Sequence, residues 1–278
     1  MIGLLLAVFA SGLGELSDSI GKYEVRKKVV SYYSFGFLSL LATAISIAAV
    51  GIYRDSFIFS LASLPTFIPR LVLEVFQAHI SLLAITKADR GDFGVIRVIT
   101  VPLLLFVDLH LGYSITALQA LGIVIIVSSV FGLAWAERFR TKAFWFILAS
   151  AINAVATISL YKYDISHFNS VEAEQTIVCL VLLLQFYVLA RIFGRENPLK
   201  LIFSPIFSVQ VTASGLASTL VSFAISFAPA SIITAGLRAS SVLFSILSGR
   251  YYFKEKRFEI KFVLFCSITF GLWLLSFT

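Results

Sequence analysis

Of the ionisable side chains inside the long apolar stretches of this chain, six are weighed as functional candidates: Glu15, Asp18, Arg70, Glu74, Arg97 and Arg238. A charge near the centre of a lipid-spanning helix costs about 2.5–3.5 kcal/mol on insertion scales, so each of these must face a partner or a wet cavity. Such positions mark substrate paths, ion paths or internal staples. Arg70, Glu74, Gln77 and Ser81 follow one another at spacings of four, three and four, which puts them on one face of a helix. That stripe reads equally as a substrate surface and as an Arg70–Glu74 pair that never meets substrate. His79 lies off the stripe and reads as a packing histidine.

Arg97 and Arg238 enter from opposite ends of two helices. Arg97 lies roughly 9 Å and Arg238 roughly 12 Å from its own face, so two long side chains can converge on the middle of a core about 30 Å thick. Guanidinium chemistry at that depth suits an anion or a carboxylate. Asn153, Gln185 and Gln210, with the hydroxyls Ser208, Thr212, Ser214, Ser218, Thr219 and Ser222, offer hydrogen bonds to a ligand or between helices. Three acids and three arginines cancel, which favours a zwitterionic or mixed-charge metabolite such as an amino acid or its derivative. Asp18 stands one turn from Lys22 and reads as an interfacial pair with it. Desolvation favours the protonated carboxyl and a nearby arginine opposes it. Glu74 has Arg70 one turn away, whereas Glu15 has only Lys22, two turns off, in its own helix; Glu15 is therefore the expected site of proton coupling.

These residues sit on ten apolar stretches, each about as long as a helix needs to cross a bilayer: 2–20, 29–52, 57–86, 91–110, 115–135, 143–162, 171–193, 205–227, 230–252 and 259–277. Hydrophobic residues make up 59% of the chain and charged residues 13%, with a mean hydropathy of +0.96. That composition excludes an ordinary soluble domain, and the loops are too short to hold one. The expected fold is therefore an all-α integral membrane protein of about ten transmembrane helices. Pro65 and Pro69 are expected to bend or break the third helix. Residues 84–135 and 226–277 align without a gap as helix, turn, helix, and Ile96 then matches Arg238. Because five is odd, a duplicated five-helix unit must insert in opposite senses, giving two inverted repeats, 1–138 and 139–278.

Lys and Arg number 17 in the odd loops and 2 in the even loops, the latter Arg54 and Lys162. Basic loops stay cytoplasmic, so both termini are expected outside, in the cytoplasmic membrane. The net charge of +7 is thus a topology signal, with lipid headgroups as its partner and no role for nucleic acid. Trp135, Trp145 and Trp273 lie near span ends, as belt residues do. Cys179 and Cys266 read as packing residues. No CxxC or Cys/His cluster points to a metal, and no cofactor is expected. The first stretch lacks a basic leader and a small-residue cleavage site, and is expected to be retained.

The run FAPASIITAGLRASSVLFSILSGRYYFKEKRFEIKFVLFCSITFGLWLL, with its acidic turn at Glu255, resembles the last two helices of the drug/metabolite transporter superfamily, specifically its ten-helix EamA-type members. ITKADRGDFGVIRVITVPLLLFVDLHLGYSITALQALGIVIIVSSVFGL echoes it in the first half, with Pro102 where that family often has a proline and Tyr113 at the acidic turn position. The resemblance implies transport of a small metabolite through a cavity walled by helices one, three, four, six, eight and nine. Members commonly keep both termini inside, against the charge count followed here.

The expected function is a secondary transporter for a small polar or zwitterionic metabolite working by alternating access. Arg97, Arg238, Glu74, Arg70, Gln77, Asn153 and Gln210 are its expected substrate contacts. A homodimer stays open. The alternatives are a lipid flippase and a membrane-embedded lipid-modifying enzyme, and the latter lacks any HExxH, GxSxG or Walker A run. No catalytic residue is expected.

Overall fold

The computed structural model describes residues 2–110, 116–136, 142–227 and 230–275. The turn residue Tyr113, the loop residues Arg138 and Arg140 and the boundary between 138 and 139 lie outside these residues, as does the side chain of Trp135. Among the described residues the chain is helical, without strands. The helices are α1 (Ile2–Arg26), α2 (Tyr32–Tyr53), α3 (Leu64–Lys87), α4 (Arg90–Arg97), α5 (Thr100–His110) and α6 (Ala117–Ala136). They continue as α7 (Lys142–His167), α8 (Val171–Leu189), α9 (Pro198–Leu201), α10 (Pro205–Phe227), α11 (Ala230–Tyr251) and α12 (Phe258–Leu275). A 3-10 turn at Leu61–Ser63 leads into α3, and a π turn at Ala190–Gly194 ends α8.

Among the described residues, five segments are long and apolar enough to cross a membrane: Tyr32–Tyr53, Leu61–Lys87, Phe144–His167, Val171–Gly194 and Pro205–Phe227. Their middles present large apolar side chains outward, Leu184 at 65% exposure and Ile45 at 61%, as a surface solvated by lipid does. Trp145 and Trp273 also face outward, and so does Cys266, against the expectation of packing; Cys179 is buried.

Proline sets two helix features in ways that the count of prolines alone does not predict. Pro65 falls in the first turn of α3, where the missing N–H has no partner to lose, and α3 runs unbroken through Pro69 to Lys87. The break lies in the fourth stretch instead. Pro102 cannot donate to the Val98 carbonyl and its ring crowds it, so α4 stops at Arg97 and α5 starts at Thr100. Short i→i−3 bonds bridge the gap, from Ile99 to Ile96 and from Val101 to Val98. At the other ends, α1 continues past Ile20 to Arg26 and α7 past Lys162 to His167, carrying Lys22 and Asp164 on ordered helix.

Helices from both halves interleave. α1 packs along α10 and α11, α7 along α3, α4 and α5, while α2 meets α8 and α10, α6 meets α12, and α4 meets α11. In lipid this association rests on close packing rather than on water release, so small residues sit at the crossings. A Cβ at Gly215 of α10 would lie 2.8 Å from the Ala42 carbonyl carbon on α2. At Gly94 of α4 it would lie 3.2 Å from the Val242 Cα on α11.

Candidate functional site

Arg90 opens α4, where the helix dipole disfavours a cation, and it is 1% exposed. Three acids reconcile it with that position. Its Nε and Nη2 donate to Glu15 Oε1 and Oε2 of α1 at 2.9 and 2.6 Å, and Nη2 also reaches Asp18 Oδ2 at 3.1 Å. Glu15 further accepts Ser19 Oγ at 3.0 Å and the Ser248 hydroxyl of α11. The third acid, Glu255, reaches from the α11–α12 loop and accepts the Arg90 and Gly91 amides, capping α4 from outside the helix. Lys261 Nζ then bridges Glu255 and Asp92 at 3.0 and 2.8 Å. Burial alone would raise the Glu255 carboxyl, but the Lys261 ammonium and the two amides outweigh it and hold the group below the usual carboxylate range.

Two sequence expectations change here. Lys22 does not pair with Asp18; it donates to the Ala88 carbonyl, and Asp18 turns to Arg90. Glu15 does not lack a guanidinium, because folding brings it one from α4. The premise that selected Glu15 for proton coupling therefore fails, and of the three acids weighed from the sequence Glu74 is the least tightly paired.

The second charged cluster stands at the other end of α3, since Arg70 lies seventeen residues, about 26 Å of helix, before Lys87 and Arg90 follows just beyond that end. Arg70, fully buried, binds Glu174 of α8, also fully buried, and stacks 4.5 Å over the Tyr161 ring. Asn169 donates to the other Glu174 oxygen at 3.1 Å. Glu74 is farther from Arg70, at 3.6 Å, with 22% of its side chain exposed. Thr66 bonds Asp164 beside this cluster. Arg54–Glu172 at 3.0 Å extends it outward, but Arg54 is 58% exposed and the pair is worth little.

Between the clusters the expected contacts divide. Gln77 Nε2 donates to Ser81 and Ser150 at 2.9 Å each, and Asn153 Nδ2 to Gln77 Oε1 at 3.0 Å and the Leu73 carbonyl at 2.9 Å. These groups join α3 to α7 and use up the Gln77 amide in doing so. Gln210, fully buried, donates to Ser39 at 3.3 Å and joins α10 to α2, as Ser214 and Thr219 do. His79 packs on Phe186 and bonds Gln185. Arg97 and Arg238 remain, both half-buried: Arg97 over the Phe93 ring at 5.0 Å, Arg238 donating from Nε to Thr100 Oγ1 at 3.0 Å.

Sequence reasoning missed Arg90, Glu174 and the capping role of Glu255. Arg90 was counted as a loop charge, yet a cation in the first turn of a helix is itself a signal that anions must come from elsewhere. Glu174 gave no such signal, because acids suit a helix N-terminus.

The chain matches no known protein-family profile. No curated protein matches it either. Among solved structures 23 chains are similar. One, described only as "Crystal structure of protein", superposes with a TM-score of 0.69 at 14% identity, over 99% of this chain and 96% of that one. At that identity the likeness shows a shared fold across nearly the whole of both chains.

Proposed function

We propose that the chain is a ten-span secondary transporter of the drug/metabolite type, built from halves 1–138 and 139–278, which carries a small polar metabolite across the cytoplasmic membrane by alternating access. The observation that carries this reading is the placement of charge. One buried cluster, Arg90 with Glu15 and Asp18, closes the basic-loop end; another, Arg70 with Glu174, closes the opposite end. Each ties elements of both halves together, through Ser248 and Glu255 in the first and through Glu174 in the second. A gate at each end is what alternating access requires. The packing supports an inverted repeat. Exchanging the first five spans for the last five turns α1–α10 into α7–α3 and α1–α11 into α7–α4/α5, while α2–α8, α6–α12 and α4–α11 map onto themselves; all of these pairs are in contact.

Uptake into proteoliposomes from a panel of amino acids, organic acids, amines and phosphorylated metabolites tests the reading, and uptake of none of them under any imposed gradient would sink it. The basic loops are placed in the cytoplasm. In a variant without Cys179 and Cys266, Asp55→Cys should react with an impermeant thiol reagent on intact cells and Lys28→Cys should not; the reverse result would place the termini inside.

A further inference from the structure

Arg97 and Arg238 are brought to one level by the crossing of α4 and α11. Gly94 lies against Val242 and Ser245, and six residues further along the chain Thr100 accepts the Arg238 Nε–H at 3.0 Å. The two helices therefore run antiparallel, and Arg97 falls level with the turn from Arg238 to Ser241. Ser11 of α1 closes the same level: it donates to the Leu237 carbonyl at 3.1 Å and accepts the Ser241 hydroxyl at 3.4 Å.

Neither guanidinium pairs with a carboxylate among the described residues. Arg97 meets a ring face, and its Nε is buried with no hydrogen-bond partner; Arg238 bonds one hydroxyl. The acids nearby are paired elsewhere: Glu15 and Asp18 with Arg90, Glu74 and Glu174 with Arg70; Asp18 also acts on Arg97 through its charge, but it is shared with Arg90 and does not reach Arg238. Arg90 thus has Glu15, Asp18 and Glu255 around it and Arg70 has Glu174 and Glu74, whereas among the described residues no carboxylate forms an ion pair with Arg97 or Arg238. The two central charges act on one another, and like charges in a low-dielectric interior repel strongly. A buried donor left unpaired adds a penalty of about 1–3 kcal/mol. α5, eleven residues long, begins at Thr100 and turns the positive end of its dipole to the same place.

We propose that Arg97, Arg238 and Thr100 form a binding site for a dianionic oxyanion group, a phosphate or a pair of carboxylates, on the transported molecule. This rests on the transport reading for the word transported and sharpens its substrate class. A guanidinium fork matches the paired oxygens of carboxylate and phosphate. A neutral zwitterion leaves the centre with its excess positive charge, whereas two negative charges cancel it. The charge balance that favours a zwitterion when only the sequence is counted is therefore not local: the charges cancel over the whole interior but not at the site.

The test uses the full chain in nanodiscs of phosphatidylcholine, with thermal unfolding and calorimetry at ionic strength held constant with chloride. Inorganic phosphate or succinate should raise Tm saturably, and alanine should not. Arg97→Gln and Arg238→Gln should each weaken that affinity by about tenfold or more, the size of one lost charge-assisted bond. Each should leave the anion-free Tm unchanged or higher, because a repulsion has gone. Arg238→Lys should fall between. A response to phosphate alone assigns a phosphate group, and a response to succinate alone assigns carboxylates. Absence of any response in the native protein, an undiminished response in the double glutamine variant, or an anion-free Tm that falls on substitution would overturn the site. Competition by phosphatidylglycerol in the disc would assign it to a lipid headgroup and overturn its link to a transported molecule. Anion binding without any uptake would sink the transport reading and spare the site; uptake that ignores both substitutions would do the opposite.

Discussion

α2 and α10 lie in close contact, whereas α3 and α8 meet sparsely, although exchange of the two halves would convert one pair into the other. The first interface is built for intimacy. Gly215 admits the Ala42 backbone, Ser46 and Thr219 share a hydrogen bond at 2.6 Å, and Ser214 and Gln210 both reach Ser39. The second is held by Arg70–Glu174, by His79–Gln185 and by a small apolar patch of Phe67, Val178 and Leu182. A duplicated unit at equilibrium between two mirrored states need not look symmetric in either one. Under the transport proposal this is a state closed at both ends, in which α2 lies tighter on α10 than α3 does on α8. Both end clusters are formed in this state, and the tighter shell of ligands belongs to Arg90.

The largest expected effect comes from removing that arginine. Arg90→Gln leaves Glu15 buried without its counter-ion and should lower stability by about 3–5 kcal/mol, the range for breaking one side of a buried pair. Glu15→Gln combined with Arg90→Gln should recover most of it, because the pair as a whole contributes far less than its broken half costs. Unfolding of the three variants in detergent measures this. An equal loss in the single and the double variant would show that the two side chains are not coupled, and the contrast between the end clusters would lose its basis.

The interface contrast can be frozen. Ser46→Cys with Thr219→Cys, in a chain without Cys179 and Cys266, should form a disulfide that holds α2 on α10 and stops net uptake until a reductant is added. Uptake at the native rate with the bond formed would mean that this interface never opens, and that the asymmetry is permanent architecture.

Proton coupling separates the clusters more finely. A carboxylate that must gain and lose a proton cannot be held by a committed guanidinium. Glu15 is so held, by two bonds; Glu74 stands 3.6 Å from an arginine already bound to Glu174, and is partly exposed. Glu74→Gln is expected to abolish accumulation driven by a pH gradient and to spare exchange at equal pH. Glu15→Gln is expected to damage both alike. Under the transport proposal, gradient-driven uptake that survives Glu74→Gln would assign the coupling to another group.

How much of this was legible beforehand follows from what a sequence can encode locally. The apolar stretches overlap helices throughout the described residues, five segments of which are long and apolar enough to cross a membrane, because hydropathy is a property of a segment. The break at Val98–Ile99, four residues before Pro102, divides a stretch read as continuous, whereas the bend or break expected from Pro65 and Pro69 gives no break in α3; position within the helix decides, and Pro65 sits where it does no harm. Arg97 and Arg238 were readable as charges inside apolar stretches, and neither forms an ion pair among the described residues. What stayed hidden were the ties made at long range, Arg90 to Glu15 across 75 positions and Arg70 to Glu174 across 104. Composition could count those charges but not assign them, so a sum of zero concealed a local excess at the centre.

The smallest expected effect tests whether the shell around Arg90 includes the loop acid. Glu255 ends the α11–α12 turn beside Gly249, where a Cβ would lie 2.5 Å from its Oε2, so the space for this carboxylate is kept open by a glycine. Its folded pKa lies below the ordinary value of about 4.3. A depressed carboxylate contributes stability that is present above its unfolded pKa and is lost as pH falls through the folded one. Glu255→Gln should therefore lower stability by about 1 kcal/mol at neutral pH, the scale of a helix N-terminal cap. The gap between native and variant Tm should close as pH drops from about 7 towards 3. A gap that stays constant across that range would assign the loss to packing against Gly249, and Lys261 and Asp92 would then hold their pair without help from Glu255.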